Sequence, residues 1–137
     1  MADQEYKIKI LVGYDGSNSA KDALKLAKDH AKVFDASVDV VTSMAEAKNN
    51  QYDDVRQAEI GLEYAKALLE DDNINCETHL LIRGLSPGED LVQFAADHQI
   101  SEIIVGVRRR SKVGKLLMGS TAQHVILKAP CPVVTIK

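Results

Sequence analysis

The sequence predicts an open parallel α/β sheet of five strands in the order 3-2-1-4-5, helices on both faces, as a single domain over 1–137. Three observations carry that prediction. Short apolar runs alternate with longer segments of helical period, the β-α-β-α-β-α-β-α-β order that right-handed crossovers wind into a parallel sheet. The runs Ile10-Leu11-Val12 and Ile103-Ile104-Val105 are apolar at consecutive positions, as strands covered on both faces are. Each of them stops at a glycine, Gly13 or Gly106, which opens a loop.

The elements follow in order. Ile8, Ile10, Leu11 and Val12 make the first strand. Tyr14-Asp15-Gly16-Ser17-Asn18-Ser19 is a polar turn in which Ser19 is placed to cap the next helix. In that helix Ala20, Ala23, Leu24, Ala27, Ala31 and Phe34 form one narrow apolar face suited to close packing on a sheet, and Asp35-Ala36 ends it. Val38, Val40 and Val41 make the second strand, and Met44 to Asp54 is a polar connection or frayed helix start. A long helix runs from Val55 to Glu70, with Ala58, Leu62, Ala65, Leu68 and Leu69 on its apolar side and Asp71-Asp72-Asn73 at its end.

The third strand, Cys76 to Ile82, alternates: Cys76, Thr78, Leu80 and Ile82 share one face, Glu77 and His79 the other. Half-buried alternation places it at an edge. After the Arg83-Gly84-Leu85 turn, Ser86-Pro87-Gly88-Glu89 is a capping box with proline at the first helical position, so the helix to His98 has a defined start, with Leu91, Phe94, Ala95 and Ala96 facing inward. Ile103 to Gly106 is the fourth strand, Thr121 to Leu127 the core of the last helix, and Val133 to Ile136 the fifth strand, set off by Pro130 and Pro132.

Composition narrows the function classes. The net charge of −3 and scarce aromatics give no general pull toward nucleic acid or a membrane surface, and no apolar run approaches the length of a membrane span. Cys76 and Cys131 lie far apart, without CxxC or zinc spacing, and read as reduced thiols of a cytoplasmic protein. His30, His79, His98 and His124 share no spacing and read as surface or helix-end residues. Ser17 and Ser120 lack a GxSxG elbow, which argues against an esterase.

One stretch runs against this background. Ile103 to Thr121 reads as a strand, a basic loop from Val107 to Lys115 carrying Arg108, Arg109, Arg110, Lys112 and Lys115, and a Gly119-Ser120-Thr121 step that opens a helix. Small residues and unpaired amides at a helix start are what a phosphate needs. Gly114-Lys115 is not a P-loop, because Arg109 stands where its first glycine belongs and Leu116 where Ser or Thr belongs. With the order 3-2-1-4-5, winding reverses between strands one and four, so the ligand crevice falls between the loops after Gly13 and Gly106. Asp15 sits at the tip of the first strand, able to accept from a sugar hydroxyl or a base amine, and Ser120 and Thr121 offer hydroxyl and backbone donors to phosphate. Each has a plainer reading: Asp15 as a turn former bonding its own backbone, Gly106 and Gly119 as packing glycines, the basic run as a solvated loop.

ILVGYDGS, the Gly84 turn, the Gly106 loop, GSTAQHVI and the closing APCPVVTI together resemble the universal stress protein family over essentially the whole length. The resemblance implies a Rossmann-like fold of the adenine nucleotide alpha hydrolase-like kind. The nucleotide-binding branch of that family carries glycine, two residues, glycine, nine residues, then glycine and Ser/Thr. Gly106 and Gly119-Ser120 match it, and Arg109 replaces the middle glycine. That arginine must either turn outward or meet phosphate with its side chain, where it or Lys112 could act as a charge clamp.

The resemblance implies a nucleotide site made of Tyr14, Asp15, Ser43, Gly106, Arg109, Gly119, Ser120 and Thr121, with Asp15 at the adenosine end and Ser43 meeting the adenine edge through its backbone. It implies ATP, or AMP or ADP, as ligand, with Mg²⁺ carried by the phosphates. It also implies a homodimer through the C-terminal strand, a protein partner that reads the bound state, and a role in stress response. Two other functions are kept open: a nucleotide-free dimeric adaptor whose basic loop binds a protein or polyanion, and a slow ATPase or phosphotransferase. The latter lacks an evident base near the phosphates.

Overall fold

The computed structural model describes residues 7–45, 51–107 and 118–137. The basic stretch with Arg108, Arg109, Arg110, Lys112 and Lys115, and positions 46–50 of the polar connection, lie outside them. The elements are β1 (Lys9–Gly13), α1 (Asn18–Phe34), β2 (Ser37–Ser43), α2 (Gln51–Glu70), β3 (Cys76–Leu81), α3 (Pro87–Asp97), β4 (Glu102–Gly106), α4 (Ser120–Lys128) and β5 (Val133–Ile136). All five strands are parallel in one sheet, ordered β3-β2-β1-β4-β5, as the alternation predicts.

Two apolar layers sandwich the sheet. On one face α1 and α2 set Ala23, Leu24, Ala27, Leu62, Ala65 and Leu69 against Ile10, Val12, Val38, Val40 and Ile104. On the other, α3 and α4 set Leu91, Phe94, Ala95, Ala122 and Val125 against Leu11, Val41, Ile103 and Val105. Consecutive residues of β1 and β4 thus serve opposite layers, which is why their sequences are apolar without alternation. α1 can lie close to the sheet because its buried stripe is four alanines and one leucine. The crossovers cover one face from β1 to β3 and the other from β3 to β5, so winding reverses between β1 and β4.

The structure corrects several boundaries. Ser17, not Ser19, caps α1: its hydroxyl accepts the Ala20 N–H at 3.2 Å, and Ser19 meets it hydroxyl to hydroxyl at 3.2 Å. The shift has a local cause. Asp15 Oδ1 accepts the Ser17 N–H at 2.9 Å and Gly16 adopts φ 81°, a conformation open to glycine, which together present Ser17 in the extended cap geometry. Phe34 does not belong to the buried stripe; it is half exposed, edge-on to His30. Ala96 is exposed rather than inward. α2 begins a turn earlier than its apolar pattern, with Asp53 and Asp54 in its first turn, where acidic side chains suit the helix amides. Val107 is buried and still in the ladder, donating to Ile136 O at 2.8 Å, so the chain leaves the sheet one residue later than the basic run suggests. β3 is an edge strand, as its alternation indicates. The capping box forms in full: Ser86 Oγ accepts the Glu89 N–H at 3.3 Å and Glu89 Oε1 accepts the Ser86 N–H at 3.0 Å.

Candidate functional site

A cleft of about 600 Å³ opens beyond the carboxyl ends of β1 and β4, where the winding reverses. Tyr14, Asp15, Ser43, Gly106, Gly119, Ser120 and Thr121, separated by as much as 107 positions in the chain, all line it. Arg109 lies outside the described residues. Val41, Leu91, Val105 and Met118, with Ala20, Pro87 and Ala122, give it apolar surface, and the serines, Thr121, Asp15 and the glycines give it hydroxyl, carboxylate and exposed backbone. A flat apolar ring and a polar, anionic tail would find complementary surfaces there.

Each lining residue is held by the fold. Gly106 ends β4 against the start of α1: a Cβ there would lie 2.6 Å from the backbone carbonyl carbon and oxygen of Ser19. Its packing role is therefore real, and the close approach is what brings the start of α1 to the edge of the cleft. Tyr14 lines the cleft, and its ring packs in the α1–α2 layer beside Gly61. Burial, reinforced by the neighbouring Tyr64 and Asp15, raises the Tyr14 pKa above 10.0 and keeps the phenol neutral. The main chain of Tyr14 is pinned, its N–H donating to Val41 O at 2.9 Å and its carbonyl accepting the buried Thr42 hydroxyl at 2.7 Å. Asp15 does act as a turn former through the Ser17 N–H while also lining the cleft.

α4 differs from its neighbours. Ser17 caps α1 and Ser86 caps α3 with side-chain hydrogen bonds, whereas Gly119 at the N-cap of α4 supplies none. Gly119 has an ordinary extended φ of −68°, and an added Cβ would meet nothing within 4 Å. The glycine is demanded by neither backbone strain nor protein packing among the described residues. With no side-chain cap from Gly119, the Ser120, Thr121 and Ala122 amides of the first turn lack an intrahelical acceptor at the positive end of the helix.

Residues of α3 are among the lining residues outside the site expected from the sequence. Pro87 and Leu91 line the cleft, and Asp90 beneath them accepts the Ser43 hydroxyl on one oxygen and two Arg83 N–H groups on the other. Leu91 was legible only as core, because nothing in a helical period distinguishes a core position from one that also floors a pocket.

Other chemistry lies elsewhere. Asp39, Glu77 and His79 are the one group of possible metal ligands among the described residues, with ligand atoms within 4.8 Å of one another, but His79 Nε2 and Asp39 Oδ1 already pair at 2.9 Å and Glu77 is exposed. None of the three lines the cleft. His30 pairs with Glu102 at 2.7 Å. Burial pushes the Cys76 thiol up to about 12 and raises that of Cys131, so both are poor nucleophiles. Among the described residues no helix is long and apolar enough to cross a membrane.

Fold and cleft together define a doubly wound parallel α/β protein with a ligand crevice at its switch point. The family model described as the universal stress protein family matches residues 8–137. A universal stress protein of Thermus aquaticus is 32% identical, the match covering 93% of this chain and 97% of that one. A solved universal stress protein structure from Archaeoglobus fulgidus is 34% identical with a TM-score of 0.86, over 97% of this chain and 100% of that one. A second solved structure from Archaeoglobus fulgidus, a complex with dAMP, is 31% identical with a TM-score of 0.79, over 96% and 98%. The chain belongs to the universal stress protein family.

Proposed function

We propose that this protein is a regulatory nucleotide binder of the stress response. It takes ATP or a related adenine nucleotide in the switch-point cleft, Mg²⁺ being carried by the phosphates. The observation that carries the reading is the N-terminus of α4, where Gly119 supplies no side-chain cap and Gly119, Ser120, Thr121 and Ala122 line the cleft together with Gly106. In this reading the phosphates lie against Ser120 and Thr121, the sugar near Asp15, and the base on the Val41, Leu91 and Val105 wall toward Ser43. Arg109 adds side-chain charge at the phosphates. The related Archaeoglobus fulgidus protein with bound dAMP supports an adenine nucleotide as the ligand class. The nucleotide is a signal rather than a substrate, and the bound state is read by a protein partner on a homodimer formed through β5.

Isothermal titration with Mg-ATP at moderate salt tests the reading. Saturable binding is expected in the natural protein. Gly119→Val should abolish it, because the branched side chain stands over the α4 amides, at a position where an added Cβ meets nothing within 4 Å among the described residues. Normal binding by Gly119→Val would show the site to be misassigned, and no binding by the natural protein would favour the adaptor. Phosphate release lost in Asp15→Ala while binding persists would favour an enzyme and count against the placing of Asp15 at the adenosine end.

A further inference from the structure

Asp39 stands at a position that the fold gives to apolar residues. Register sets Glu77, Asp39, Leu11 and Ile103 side by side across β3, β2, β1 and β4, and on this face of the sheet Leu11 and Ile103 are core under α3 and α4. Asp39 is 7% exposed, yet it carries a carboxylate, and a buried charge is a poor way to stabilise a fold. Directly opposite it Glu77 adds a second carboxylate, an arrangement that costs stability between neighbouring strands. His79, two residues on along β3 and on the same face, supplies a third donor. Its Nε2 lies 2.9 Å from Asp39 Oδ1, and the ligand atoms of all three residues lie within 4.8 Å of one another. The imidazole distinguishes the group from a patch of surface acids. Its ring packs beside that of Phe94, 4.8 Å away between centres, and a second imidazole, His98, lies 6.4 Å from it. His98 Nδ1 donates to Phe94 O at 3.0 Å, which leaves Nε2 of the neutral ring with a lone pair.

We propose that Asp39, Glu77 and His79 form a site for a divalent transition-metal ion, Zn²⁺ foremost, at the β2–β3 edge of the sheet. One imidazole and two carboxylates suit zinc in charge and donor type, and the imidazole argues against Mg²⁺ and Ca²⁺, which take oxygen. Two ligands on one tetrahedral zinc stand about 3.3 Å apart for bonds of about 2.0 Å. The His79 and Asp39 atoms, at 2.9 Å, need only part slightly as the cation takes the place of the proton between them, which goes to solvent. Glu77 is exposed and closes on the ion by side-chain rotation, and water fills the fourth position. The bound cation offsets the two opposed carboxylates and ties the edge strand β3 to β2. None of the three residues lines the switch-point cleft, and the proposal stands independently of the nucleotide reading.

Isothermal titration of the chelator-treated, nucleotide-free protein with Zn²⁺, in millimolar Mg²⁺, should give saturable binding of one equivalent. His79→Gln and Glu77→Gln should each weaken it by about tenfold or more. Both side chains reach solvent, so neither change opens the core. The urea midpoint supplies a second reading. Zn²⁺ should raise it in the natural protein, because an ion bound only by the folded state stabilises that state, and should raise it less in either variant. His30→Gln, which alters the separate His30–Glu102 pair, should leave the zinc affinity as it is. Absence of saturable Zn²⁺ binding, an affinity unchanged in both variants, or a larger loss in His30→Gln or His98→Gln than in His79→Gln overturns the proposal.

Discussion

At Gly106 an added methyl group would lie 2.6 Å from main-chain atoms of Ser19, and main chain cannot swing aside as the end of a long side chain can. Gly106→Ala should therefore destabilise the fold by about 3 kcal/mol, read as a lower urea midpoint at unchanged slope. Gly119→Ala, where the added Cβ meets nothing within 4 Å among the described residues, should cost no more than the ~1 kcal/mol that an apolar residue loses at an N-cap. Equal midpoints for the two variants would contradict the assignment of one glycine to packing and the other to the open helix end. In the sequence the two glycines look alike, since the spacing of a motif does not say what touches each member. Asp15 was legible as both turn former and lining residue, and it is both. The Ser43, Asp90 and Arg83 set was not legible, because Ser43 and Asp90 are 47 positions apart and only the folded crossover brings α3 over the end of β2.

Helix ends are where local sequence is most direct about structure, and here they also separate stability from function. The Ser86 box was readable in full because cap, proline and glutamate lie within four consecutive residues. The α1 cap was misplaced because the Asp15 turn that selects Ser17 over Ser19 depends on the backbone of Gly16. α4 carries the functional contrast. Gly119→Asp should place a carboxylate over the Thr121 and Ala122 amides, leaving stability unchanged or higher by a few tenths of a kcal/mol while weakening Mg-ATP binding at least tenfold. Undiminished affinity in that variant would mean the α4 amides do not meet the phosphates. The α3 box predicts a pH effect. The Ser86 backbone N–H, and then its side chain, hold the Glu89 carboxyl below its ordinary 4.5. A carboxyl lowered by folding contributes fully above pH 4.5, and the contribution is lost as pH falls through the lowered value. Glu89→Gln retains an acceptor for Ser86 without the charge, so its urea midpoint should fall less than that of the natural protein between about pH 5 and about pH 3. Parallel decline of the two would exclude the box as a source of acid sensitivity.

For the whole molecule, strand order was the most legible feature, because a buried first and fourth strand and an alternating third leave few ways to wind a parallel sheet. The open edge at β5 is a different matter, since a four-residue strand does not reveal what pairs with it. The ladder does show which groups are available. Ile103 N–H donates to Pro132 O and Val107 N–H to Ile136 O, so the even-numbered residues of β5 bond to β4. The amides and carbonyls of Val133 and Thr135 then point away from it, toward the open edge. Such a row pairs readily with another strand, and exposed Ile126 and Leu127 on α4 give the same side of the molecule apolar surface. If two chains join there, sedimentation equilibrium should give twice the 15.0 kDa chain mass. Thr135→Pro removes only an outward donor, a substitution an edge strand tolerates, and should yield a folded monomer with the sheet's own ladder intact. A natural protein that sediments as a single chain would rule out the dimer. A Thr135→Pro variant that remains dimeric would move the interface away from the β5 edge.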